Sequence, residues 1–106
     1  MSGMLRGQLG AMVLKVVQTL GDEAYGASVR RSINEICRKQ YSIGAIYTTL
    51  TRLEEKGLLT SRMTEPLPER GGRSRRHYEI TGLGARALQQ AEDMVLGFWG
   101  TAGSAT

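Results

Sequence analysis

The sequence predicts a mainly α protein with one two-stranded β ribbon. Three observations carry that prediction. Apolar residues recur at three- and four-residue spacing in four separate stretches, as in helices with one buried face. Between residues 58 and 80 the spacing changes to alternation, as in paired strands. The two alternating stretches are separated by "EPLPERGGRS" (65–74), which holds both prolines of the chain and a Gly-Gly pair. That segment reads as the tip of a long hairpin.

The elements follow in order. Leu5, Leu9, Met12, Val13, Val16, Val17 and Leu20 predict a helix over 5–20, stopped by Gly21. Val29, Ile33 and Ile36 with Cys37 form the apolar stripe of a second helix over 25–39, with Ala24 and Tyr25 at its start. Asp22 and Glu23 precede it, where the helix dipole favours negative charge. Ser42 is an N-cap type and opens a third helix. Its stripe is Ile43, Ile46, Tyr47, Leu50 and Leu53, its outer face is Ala45, Thr48, Thr49, Arg52 and Glu55, and Gly57 ends it.

In "LLTSRMT" Leu59, Ser61 and Met63 share a face. In "RRHYEI" Arg76, Tyr78 and Ile80 share a face, with Arg75, His77 and Glu79 on the other. Thr81 caps a last helix with the stripe Leu83, Ala87, Leu88, Ala91, Met94, Val95, Phe98 and Trp99. "GTAGSAT" then reads as a frayed tail. A short link joins the second helix to a third with a small polar outer face, and a basic hairpin follows. That order describes a winged helix-turn-helix over 1–81, followed by a C-terminal helix over 82–100, expected to serve dimerisation for the reasons given below, and a flexible tail over 101–106.

Length and composition bound the function. The 106 residues suit one domain, and 41% hydrophobic with 23% charged residues suit a soluble globular one. Fourteen Lys and Arg against ten Asp and Glu give a net charge of +4. That balance permits nucleic-acid binding without requiring it, and a GC-rich genome alone would enrich arginine. The single cysteine, Cys37, cannot close an internal disulfide and favours a cytoplasmic setting. Its place on an apolar stripe reads as a small buried hydrophobe rather than a redox sensor. Lys15 interrupts the first apolar run, so neither a signal peptide nor a membrane span is expected.

Enzymatic constellations are missing from the sequence. His77 is the only histidine and lies far from Cys37, so no common zinc spacing can be assembled. No nucleophile elbow, phosphate-binding loop or dinucleotide fingerprint occurs. No enzyme, metal or cofactor is expected.

The residues favour double-stranded DNA as the partner. Ala45, Thr48, Thr49 and Arg52 form a small, polar helix face. Thr methyls can meet thymine and Arg can pair with guanine, although the two threonines also suit a merely solvated face. Tyr47 sits at the edge, either donating to a phosphate or packing in the core. Arg70, Arg73, Arg75 and Arg76 crowd the hairpin tip and return strand, where a wing would track a phosphate strand. Arg70, Arg73 and Arg75 are the candidate backbone anchors. Arg76 shares a face with Tyr78 and can lie against the domain instead.

"GAIYTTLTRLEEKGLLTSRM" and "GGRSRRHYEIT" resemble the PadR family of bacterial transcriptional regulators. The matching positions are Ile46, Tyr47, Leu50, Arg52, Leu53, Glu54, Gly57, Leu58, Gly71, Gly72, Arg73, Tyr78 and Thr81, with "AYG" at 24–26. Ala45, Thr48, His77 and Gly82 depart from the family pattern. The resemblance implies a homodimeric winged-helix repressor of the short C-terminal type, dimerising through its first and last helices.

The last helix supports that on its own terms. Leu83, Ala87, Ala91, Met94, Val95 and Phe98 make a stripe about 25 Å long over 83–99, too apolar for a lone surface helix. By resemblance, Trp99 with Phe98 and Met94 is a candidate site for a planar hydrophobic effector at the dimer centre. Simple packing of Trp99 in the dimer is the favoured reading. A rival from another class is a protein-interaction adaptor built on the same fold.

Overall fold

The computed structural model describes residues 2–37, 40–64 and 75–104, with side chains described at 9–37, 40–64 and 75–94. Helix α1 spans Ser2–Leu20 and leads through a 3-10 turn, Gly21–Glu23, to α2, Gly26–Cys37. Helix α3 spans Ile43–Glu55, strands β1 and β2 span Leu59–Thr64 and Arg75–Ile80, and α4 spans Gly82–Ser104. This is the mainly α fold with a two-stranded wing that the sequence predicts.

The core gathers one stripe from each helix and one face of the ribbon. Val13, Leu14, Val16 and Val17 of α1 meet Val29 and Ile33 of α2, and Ile46, Leu50 and Leu53 of α3. Leu59, Tyr78 and Leu88 complete it. The short polar caps fix where the helices begin. Ser42 Oγ accepts from Ala45 N–H at 3.1 Å and starts α3. Thr81 Oγ1 accepts from Gly84 N–H at 2.9 Å and donates to Gly57 O at 2.7 Å. One threonine therefore both caps α4 and ties it to the turn after α3. Gly57 takes φ 78°, a left-handed conformation that lets the chain leave α3 and enter β1.

The strands pair antiparallel from Leu59↔Ile80 to Thr64↔Arg75. That register puts Leu59, Ser61 and Met63 on the same face as Arg76, Tyr78 and Ile80, as the alternation predicts. On the opposite face Thr60, Arg62, Arg75 and Glu79 are exposed and only His77 is buried, while the free edge of β2 is paired by the start of α2. The Tyr25 backbone forms an isolated antiparallel bridge to His77, and Tyr78 N–H donates to Ala24 O at 2.9 Å. The start of α2 thus acts as a short third strand. His77 is buried beneath Tyr25, and Tyr78 is buried against the core on the other face, at 2% and 3% exposure.

Three expectations need correction. Ile36 does not join the α2 stripe; it is 69% exposed. The core covers α2 at Gly26, Val29 and Ile33, and in its last turn Cys37 meets Met12 Sδ on α1 at 3.3 Å while Ile36 faces solvent. Ile43, at 39% exposure, also stands at the edge of the core because the first turn of α3 projects past it. Helix α4 continues to Ser104, through residues whose composition suggests a tail. The wing tip at 65–74, with Arg70 and Arg73, lies outside the described residues, as do the side chains of Val95, Phe98 and Trp99.

Candidate nucleic-acid interface

Helix α3 turns its buried row of Ile46, Leu50 and Leu53 inward, and this decides what the rest of the helix presents. Gly44, Thr48, Thr51 and Glu55 form the outward row, all exposed. Arg52 is exposed beside them, and Tyr47, Thr48, Thr51, Arg52 and Glu55 line one shallow depression. Thr51, left aside by the sequence reading, shares this row. The signal for it was present, because it follows Thr48 by three residues on a helix.

Ala45 and Thr49 lean the other way. Both are half-buried, and Thr49 Oγ1 donates to Ala45 O at 3.0 Å. They line a groove of about 750 Å³ between α1, α3 and α4, together with Leu9, Leu14, Ala87 and Ala91. The sequence groups Ala45 and Thr49 with Thr48 and Arg52, but the fold divides the four between two surfaces, with Thr48 and Arg52 reaching both. Of the residues assigned to α4 pairing, Ala87 and Ala91 border the groove, whereas Leu83 is 50% and Met94 76% exposed.

Tyr47 is 42% exposed and is held from behind. Its phenol lies against Gly26 at the start of α2, where a β-carbon would collide with the ring. The ring therefore stands at the junction of α2, α3 and the wing, with one flank open to solvent.

The wing root is organised by hydrogen bonds. Ser61 Oγ donates to Glu54 Oε2 of α3 at 2.7 Å and accepts from Arg76 Nη1 at 3.0 Å. Arg76 is thus engaged with its own domain through Ser61, although the residue is exposed. Burial raises the pKa of the Tyr78 phenol above the usual tyrosine value, with a further rise from Tyr47. Arg75 is exposed, and its guanidinium carbon lies 4.0 Å from the centre of the Tyr25 ring.

A row of small hydroxylated side chains and an arginine on a projecting helix is a surface that base edges in a major groove can meet. Exposed arginines on an adjoining ribbon are what phosphates meet. Among the described residues no cluster of metal-ligating side chains occurs, and no helix is long and apolar enough to cross a membrane.

The sequence model of the transcriptional regulator PadR-like family matches residues 13–90. The chain belongs to the PadR-like family. It is similar over its whole length to a PadR-like transcription factor of Bacteroides fragilis, at 25% identity and a TM-score of 0.80, covering 99% of this chain and 96% of that one. A PadR-like regulator of Bacillus cereus strain ATCC 14579 has the same fold at 24% identity and a TM-score of 0.72, covering 97% and 91%. A transcriptional regulator of Clostridium thermocellum does so at 21% identity and a TM-score of 0.73, covering 98% and 95%. No curated protein matches the chain. PadR-like proteins are transcriptional regulators rather than enzymes, and this chain is one of them.

Proposed function

We propose that this PadR-like chain represses transcription as a two-fold dimer on a pseudo-palindromic operator, in the cytoplasm. Each α3 enters a major groove and each wing follows the neighbouring phosphate strand. Thr48, Thr51 and Arg52 read bases, Tyr47 lies at the groove edge, and Arg70, Arg73 and Arg75 contact phosphates. The observation that carries this reading is the outward row of α3 standing next to a wing root fastened to the same helix through Glu54, Ser61 and Arg76. Bound dimers would exclude polymerase. Trp99 packs the dimer, and an effector, if the protein takes one, would act by changing the spacing of the two α3 helices through α4.

A salt titration on duplexes that the protein selects from its source genome tests the reading. Affinity should fall steeply as salt rises, because neutralised phosphates release counterions. Arg52→Ala should weaken the selected duplex by about 1–3 kcal/mol and narrow its margin over random DNA. Equal, salt-insensitive binding to both duplexes would exclude DNA recognition and favour an adaptor role.

A further inference from the structure

The fold treats the two arginines of β2 differently. Arg76 is taken up by the Ser61–Glu54 chain. Arg75 makes no ion pair among the described residues and instead lies over the Tyr25 ring. Tyr25 is itself well fixed. Its carbonyl accepts from Val29 N–H at 2.9 Å, its N–H donates to Ser28 Oγ at 3.0 Å, and its backbone bridges to His77. The His77 ring meets it edge-on, with centroids 5.3 Å apart at 68°. His77 is 2% exposed, and its Nε2 lies 2.9 Å from Gly21 O. A carbonyl only accepts, so Nε2 carries the proton. The ring that supports Tyr25 is thereby held to the turn between α1 and α2.

We infer that Tyr25 is a positioning residue for DNA-backbone binding: its ring holds the Arg75 guanidinium in place for a phosphate. The inference rests on the DNA-binding reading above. A guanidinium is attracted to an aromatic ring through its face and donates hydrogen bonds in its plane. With its carbon held over the Tyr25 ring, the guanidinium keeps N–H groups that can turn to a phosphate. An arginine free in solvent must give up rotamer freedom when it meets DNA, and one laid on Tyr25 has already given up part of it. His77 and the α2 backbone keep the ring in place, so the wing root presents a preset cation.

A double-mutant cycle tests this with the full chain and a random-sequence duplex, read by fluorescence anisotropy over a salt series. Arg75→Ala should weaken binding about tenfold and lower the log–log salt slope by about one unit per wing. Tyr25→Leu should weaken binding about threefold to fivefold with the slope unchanged, because the phosphate contact survives while its preorganisation is lost. Tyr25→Phe keeps the ring face and should bind like the parent. Tyr25→Leu should add no loss to Arg75→Ala. Additive losses, or a Tyr25→Phe as weak as Tyr25→Leu, would overturn the inference and leave the DNA-binding reading intact. A parent chain without salt-dependent binding would overturn both. Thermal melts of each variant fix a measuring temperature at which all are folded.

Discussion

Tyr78 is 3% exposed, and its phenol has a pKa above the ordinary 10.0, raised first by burial and next by Tyr47, with Glu54 adding to the rise and Arg76 opposing it. The native state therefore holds this proton more tightly than the unfolded chain does. The resulting stability is fully present below pH 10.0 and is lost as the pH rises through the higher native value. Urea unfolding between pH 8 and 11 should show an alkaline decline that Tyr78→Phe flattens; an unchanged decline would assign it to other groups. The same residue scale shows where sequence reading stops. The Thr81 cap and the inward-facing Tyr78 are legible because each depends on near neighbours or on strand alternation. The burial of His77 is not, because it depends on Tyr25 and Gly21, more than fifty residues earlier in the chain.

Among elements, the seat of α4 is the tightest. Gly84 passes so close to the Leu58 carbonyl that a β-carbon there would collide with backbone, which cannot rotate away as a side chain can. The same carbonyl accepts from Thr81 N–H at 3.1 Å, so the start of α4 and the end of α3 are locked together. Gly84→Ala would ordinarily favour a helix, but here it should cost about 1–3 kcal/mol through overpacking, measurable by urea denaturation. A stabilised variant would show that α4 can shift on its seat. Element types and order follow from the change of period between residues 58 and 80, and the face each strand turns inward follows from alternation. The ends of elements follow less well. Periodicity assigns Ile36 to a buried stripe without knowing that the last turn of α2 meets the core through Cys37 instead. It also places Ala45 and Thr49 with Thr48 without knowing that α1 and α4 close over one flank of α3.

For the whole molecule, shape is the informative quantity. The radius of gyration is 15.7 Å and the long axis 60 Å, whereas a compact chain of this length has a radius near 13 Å. Two long helices, α1 and α4, are joined by Lys15 Nζ and Glu92 Oε1 at 3.3 Å. An exposed pair of this kind contributes little, so it does not explain why two largely apolar helices remain extended. The half-buried Leu9, Ala87 and Ala91 along the groove, and the exposed Met94 and Leu83, are surfaces that a second copy would cover. Two-fold pairing buries the same patch on both copies. Folding is then coupled to assembly, so the melting temperature should rise by about 3 °C for each tenfold increase in protein concentration. Ala91→Glu would place a carboxylate in that contact and should yield a monomer by sedimentation, with a melting temperature that no longer depends on concentration. Circular dichroism separates this from simple unfolding, because the winged core does not need Ala91. If Ala91→Glu still sediments as a dimer, the two copies meet on another face and the spacing of their α3 helices is not set by α4.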